Sequence, residues 1–296
     1  MAKVPTWLLS LLIILLWGTT FPAIKLQLQY ISPLVLAGWR VLPAGIIVCL
    51  WALIRKYPRP SRRLWAQAAI SALLNVVMLY GGQMAASAYL SPGVVAGLIY
   101  LQPVLVTLFA RIWLDESLSA RKLTGILTGL AGVALVAVSA GARASVLGIV
   151  FAVTGALGWA LGTVYLKAHQ NDSPIWFVGL QFLLGGTIFT IISFVFSSPV
   201  SHWTPLALAD LLFIMVGGTA GAWVLFLALL QRGQVSRVST FLFGVPAVAS
   251  LIGIIAFHEP LNIQFAAGFV AVSLGILLVN GHRPHRAPSE EDRLNA

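Results

Sequence analysis

Apolar runs separated by short polar connectors organise the whole chain. Ten such runs, at roughly 7–28, 33–54, 64–88, 92–114, 122–140, 146–166, 174–196, 206–230, 235–257 and 262–280, contain almost no charge. Each approaches the ~20 residues that an α-helix needs to cross ~30 Å of hydrocarbon. The pattern therefore predicts an all-α membrane protein with ten transmembrane helices. Composition agrees: 59% of residues are hydrophobic and 9% charged, with a mean hydropathy of +0.95, against about a quarter charged in ordinary globular domains. No small-residue cleavage site follows the first run, so it is expected to be retained rather than removed as a signal peptide. The single cysteine, Cys49, lies within the second run and can form no intramolecular disulfide.

The net charge of +10 does not mark a nucleic-acid surface, because the basic residues sit in connectors rather than on one face interleaved with aromatics. With both termini in the cytoplasm, 15 of the 18 Lys and Arg residues fall on the cytoplasmic side, Lys25 and Arg143 fall outside, and Arg40 lies within the second span. The positive-inside rule predicts that orientation, and the expected location is a bacterial inner (plasma) membrane. Residues 281–296 are polar and charged, cannot bury a core, and are expected to form a cytoplasmic tail.

The chain also repeats itself. An offset of 143 residues carries Pro103 onto Pro246, Glu116 onto Glu259, Leu118 onto Leu261 and Gly132 onto Gly275. An offset of 142 carries Trp17 onto Trp159 and Lys25 onto Lys167, and one of 141 carries Gly38, Arg40, Leu42 and Gly45 onto Gly179, Gln181, Leu183 and Gly186. The division expected is a first five-helix repeat over 1–143 and a second over 144–280. Five is odd, so the second repeat runs through the bilayer opposite to the first, around a central cavity. Inverted repeats are the architecture of many secondary transporters, whose halves expose one midplane site to each side in turn.

Two motifs then carry a resemblance. LLWGTTFPAIK in the first span, and Pro103 followed by Trp113-Leu114-Asp115-Glu116-Ser117-Leu118 and mirrored by Pro246 and His258-Glu259-Pro260-Leu261, resemble the signature of the drug/metabolite transporter superfamily and its ten-span EamA-type exporters. The chain is also similar to YddG-type aromatic amino acid exporters. The second copy of the opening motif keeps Trp159 but has Ala160 where the first has Gly18. The resemblance implies an alternating-access carrier that exports small metabolites, amino acids including aromatic ones among them. Its expected partners are a small-molecule substrate and the lipid bilayer, with no nucleic acid, no ATP and no cofactor or metal. The oligomeric state is left open, a monomer being compatible with the pattern.

Polar and aromatic groups near mid-span are the candidates for a substrate site, since polar groups deep in a bilayer face protein or water. They are Trp17 with Thr20, Asn75, Tyr80 with Gln83, Tyr100, Gln102, and Trp159 with Thr163. Several stand three or four apart and so share a helical stripe. Aromatic walls with a few orienting hydrogen-bonding groups are the usual composition of a small-molecule site; ordinary packing is the rival reading. Arg40, seven residues into the second span, stays charged. It must pair with an acid, with Asp210 or Glu259 expected as partners, bind carbonyls, or receive an anionic substrate group. Pro103 and Pro246 each remove a backbone hydrogen bond in mid-span and are candidate hinges.

Other chemistry lacks its residues. No Gly-Lys-Ser/Thr phosphate loop, His-Glu-x-x-His helix or Gly-x-Ser-x-Gly elbow occurs, and the five histidines lie in connectors or the tail, which argues against an intramembrane enzyme. All eight acids, Asp115, Glu116, Asp172, Asp210, Glu259, Glu290, Glu291 and Asp292, lie at span ends, in connectors or in the tail. Proton-coupled carriers place an ionisable group where the cavity can present it to both sides, so facilitated diffusion is expected and proton-coupled antiport is the alternative.

Overall fold

Proline placed straight after serine or threonine opens four of the helices, at Ser32-Pro33, Ser91-Pro92, Ser173-Pro174 and Thr204-Pro205. The missing proline N–H is one that a helix start leaves unpaired anyway. At the last of them Thr204 Oγ1 also accepts from Ala207 N at 3.1 Å, an N-cap. The computed structural model describes residues 5–115, 119–139, 145–169, 173–196, 204–230, 244–258 and 263–280. Among them stand ten helical rods: α1 (Thr6–Gln27), α2 (Pro33–Ile54), α3 (Arg62–Ser71, Ala72–Met78 and Leu79–Tyr89 end to end), α4 (Pro92–Ile99 and Gln102–Leu114), α5 (Ala120–Ser139), α6 (Val146–Ala168), α7 (Pro174–Phe196), α8 (Pro205–Leu212, Phe213–Gly221 and Ala222–Leu230 end to end), α9 (Gly244–Phe257) and α10 (Ile263–Asn280). Seven are long and apolar enough to cross a membrane on their own, and shorter apolar stretches lie in α5, α9 and α10. The protein is an all-α membrane protein. The first part of the expected ninth span, Glu116, Glu259 and the tail lie outside the described residues.

Three of these rods depart from the uniform helices that hydropathy predicts. Ala72–Met78 in α3 and Phe213–Gly221 in α8 are π-helical, and the repeat offset relates the two segments. In α4 the helix breaks at Tyr100 and Leu101, and Pro103 stands in the first turn of the segment that resumes. The hydroxyls of Thr107 and Ser250 donate to the carbonyls of Pro103 (3.1 Å) and Pro246 (2.7 Å), the same i to i−4 contact at equivalent positions. Such back-bonding favours bending.

Packing obeys the duplication as well. α2 packs most extensively on α7 and α5 on α10, while α1 on α9 corresponds to α6 on α4, and α3 on α6 to α8 on α1. Small residues let these rods touch backbone to backbone, the usual basis of helix association in a bilayer. A Cβ on Gly45 would stand 2.5 Å from Leu183 N, and one on its repeat mate Gly186 would collide with Leu42. In the other pair, a Cβ on Gly132 would meet Val272 N at 2.5 Å and one on Gly275 would meet Gly129 N at 2.6 Å. The backbone keeps the symmetry at Asp115 (φ 51) and His258 (φ 52), 143 residues apart and both left-handed, at helix ends where Asp and His tolerate that conformation.

Gly45→Ala is expected to lower the melting temperature in detergent, because overpacking a tight contact costs about 1–3 kcal/mol and here the obstacle is main chain. Gly217→Ala, whose Cβ would meet side chains no closer than 3.3 Å, should melt close to wild type. Equal melting of the two variants would show that the α2–α7 contact is not tight.

Candidate functional site

An aromatic chamber occupies the meeting point of six rods. Its walls are Trp17, Thr20 and Phe21 from α1, Arg40 from α2, Leu79, Tyr80 and Gln83 from α3, Ile99 and Tyr100 from α4, Trp159 from α6 and Trp223 from α8. Tyr100 is at the break in α4, where the chain leaves regular helix beside the chamber. Trp17 meets Trp159 edge-on at a centroid distance of 6.1 Å, and Tyr100 meets Trp159 likewise at 5.6 Å. Trp223 Nε1 donates to Tyr80 Oη at 2.6 Å. Both Trp17 with Trp159 and Tyr80 with Trp223 are repeat mates, so each pair closes across the internal symmetry. The chamber has a volume of about 40 Å³, room for a few waters and far below the ~300 Å³ at which small-molecule sites begin. Every residue of its lining is buried.

Arg40 is the chamber's charge. It is 2% exposed, with Nε donating to Thr219 Oγ1 at 2.6 Å and Nη1 to Gln83 Oε1 at 3.0 Å. The guanidinium carbon lies 4.4 Å from the centre of the Tyr80 ring, a cation–π contact. No carboxylate reaches it among the described residues. This corrects the expectation that Asp210 pairs with Arg40. The amide of Gln27, oriented with its nitrogen towards acceptors, donates to Asp210 Oδ2 at 3.0 Å and to Ala207 O at 3.2 Å. Similar depth along two spans says nothing about rotation about their axes, and Asp210 is turned towards the end of α1. Glu259 lies outside the described residues. The π-helical turn in α8 sets Thr219 against Arg40; its hydroxyl also donates to Ile214 O, five residues back, at 2.8 Å.

Of the residues singled out from sequence, Trp17, Thr20, Arg40, Tyr80, Gln83, Tyr100 and Trp159 line the chamber, and Asn75, Gln102 and Thr163 stand apart from it. Gln102 Nε2 donates to Thr163 Oγ1 at 3.0 Å, tying α4 to α6. Asn75 Nδ2 donates to Ser71 Oγ at 2.9 Å, and Ser71 Oγ to Gln181 Oε1 at 2.7 Å, joining α3 to α7. Trp223 was not among the expected residues. The offset that relates the halves carries Tyr80 onto it, and that signal could have found it.

The described residues form a bundle of ten helical rods, related in two halves, around a buried aromatic chamber. The chain is 35% identical to the "Uncharacterized transporter YvbV" of Bacillus subtilis (strain 168) over 282 residues, covering 94% of this chain and 92% of that one. It is 25% identical to the "Uncharacterized transporter YoaV" of the same organism, over 94% of this chain and 97% of that one. A crystal structure of a protein 21% identical in sequence superposes with a TM-score of 0.65 over 92% of this chain and 95% of the other, a likeness of fold. The model of the EamA-like transporter family matches twice, over residues 5–138 and 146–281. Those two matches fall on the two halves that the internal offsets relate, and the chain belongs to the EamA-like transporter family, a membrane transporter of small molecules.

Proposed function

We propose that this transporter exports amino acids, aromatic ones among them, by facilitated diffusion through the chamber, as the resemblance to YddG-type exporters implies. One observation carries the reading: a buried guanidinium without a carboxylate partner among the described residues stands in an aromatic wall. Burying a charge is costly unless it is paired, and a carboxylate is the partner whose geometry an arginine fork fits. Aromatic neighbours suit an apolar side chain on the same solute. Trp17, Tyr80, Tyr100 and Trp159 would hold the side chain, and Gln83 would steady Arg40. Asn75 and Gln102 would act on the path outside the chamber. Opening the chamber alternately would turn on Pro103 and Pro246, in repeats spanning 1–143 and 144–280 and inverted in a bacterial inner membrane, with both termini and the tail of 281–296 cytoplasmic.

Proteoliposomes offered a panel of amino acids, purines, sugars and organic cations test this. The expected result is saturable flux of amino acids, stimulated by the same amino acid on the far side. Preference for organic cations would refute it, since Arg40 repels them. The rival reading, proton-coupled antiport, draws on Asp210, a carboxylate hydrogen-bonded within a span. It predicts that an imposed pH difference drives concentrative uptake sensitive to a protonophore. Facilitated diffusion predicts no accumulation under that condition.

A further inference from the structure

A chain of buried polar residues joins α3 to α7. Arg40 and Gln181 are repeat mates, each five residues before the glycine at which α2 and α7 touch, Gly45 and Gly186. The two rods run antiparallel in strict register: Gly38 stands against Thr190, Gly45 against Leu183, Gly186 against Leu42 and Gly179 against Cys49. In that register Gln181 lies seven residues from the level of Arg40, or about 10 Å at 1.5 Å per residue. The charge pattern puts Arg40 on the external side of the midplane and Gln181 on the cytoplasmic side.

Gln181, Ser71 and Asn75 are 0%, 0% and 1% exposed, and Gln67, one turn before Ser71, is 5% exposed. Their hydrogen bonds run one way, Asn75 to Ser71 to Gln181, which leaves a buried donor and a buried acceptor over. Gln181 Nε2 and Asn75 Oδ1 have no partner, and neither has Gln67 Nε2. An unpaired buried polar atom costs about 1–3 kcal/mol, and here three occur in one cluster, with Trp176 Nε1 a fourth on α7. A hydroxyl or primary amide has the chemistry to accept from Gln181 Nε2 or to donate to Asn75 Oδ1.

We propose that Gln181, Ser71 and Asn75 form an inner binding station that takes a hydroxyl or amide group of the solute, with Gln67 extending it towards the cytoplasm. The proposal rests on the carrier reading above. Arg40 and the inner station then act in succession on one solute, the chamber engaging its carboxylate and the station, turned away from the chamber on the cytoplasmic side, its neutral polar group. The solute that fits both is an aromatic amino acid with a hydroxyl on its ring.

Two measurements in a Cys49→Ala background test the station. In the first, Ser71→Cys is treated with a membrane-impermeant thiol reagent from each side of sealed vesicles. It should react from the face bearing Arg62 and Arg63 and be protected by L-tyrosine more than by L-phenylalanine; no reaction from that face, or equal protection, overturns the proposal. The second compares L-tyrosine with L-phenylalanine flux in wild type and Gln181→Leu. The preference for tyrosine should fall roughly fivefold to tenfold, the worth of a hydrogen bond of about 1 to 1.4 kcal/mol, while the melting temperature stays close to wild type, because the unpaired Nε2 goes as Ser71 Oγ loses its acceptor. An unchanged ratio means that Gln181 only packs, and overturns the proposal. If Gln181→Leu fails to fold, Ser71→Ala is read in its place with the same expectation. If wild type carries neither amino acid, the carrier reading for aromatic amino acids fails; the thiol reagent without solute then decides whether the station opens to the cytoplasm, silence overturning it.

Discussion

Arg40→Met is expected to lower the flux of carboxylate-bearing solutes by at least tenfold and to leave the protein folded. Methionine keeps much of the apolar stem that packs between α2 and its neighbours and removes only the charge and its donors. Hydrogen bonds to charged groups contribute about 1.5–3 kcal/mol, which is roughly tenfold to a hundredfold in affinity. Thr219 keeps its bond to Ile214 O, so one of the two former acceptors stays tied down. Arg40→Lys should recover only part of the loss, because one ammonium cannot reach Thr219 and Gln83 together while lying over the Tyr80 ring. Initial rates against substrate concentration decide the matter: the change should appear in KM. An equal loss for a neutral solute would mean that Arg40 serves only to hold α2, α3 and α8 together.

Trp159→Ala is the second large effect, with transport expected to drop at least tenfold while size-exclusion profiles in detergent stay monodisperse. The indole touches both Trp17 and Tyr100 edge-on, so its loss opens two walls of the chamber at once. Aromatic pairs of this geometry contribute about 0.5–1.5 kcal/mol each beyond their buried area. Tyr80→Phe gives a graded comparison. It keeps the ring beneath Arg40 and removes the hydroxyl that accepts from Trp223, and should cost less than the tryptophan. Wild-type flux in Trp159→Ala would remove this residue from the path.

Depth along each span was readable from sequence, and rotation about it was not. Hydropathy alone found ten runs, and mid-span position alone found seven of the chamber's residues. Whether a polar residue at that depth looks into the chamber depends on azimuth, which the π-helical turns in α3 and α8 reset without any mark in the hydrophobic pattern. Asn75 lies within one such turn and faces away from the chamber, while Tyr80, just past it, faces in. Asp210 was paired with Arg40 on depth and turned out to sit against Gln27. The duplication is the most informative signal: the offset alone leads from Tyr80 to Trp223 and from Arg40 to Gln181.

Two close contacts between the halves have become one-sided in the same sense. Where α1 crosses α8, Thr20 projects at Gly218, whose Cβ would come within 3.3 Å of the threonine Cβ. At the equivalent crossing of α6 and α3, Asn75 projects at Gly162, whose Cβ would lie 2.5 Å from the carboxamide carbon. The repeat offsets carry Thr20 onto Gly162 and Asn75 onto Gly218, so the first half supplies the bulk at both crossings and the second half leaves the room. Two copies of the first half brought together would force Thr20 and Asn75 into one space, and two copies of the second would set glycine against glycine over a void. The ancestral symmetry has thus hardened into complementarity: neither half can any longer stand in for the other, and the molecule has lost the option of assembling from a single five-helix unit.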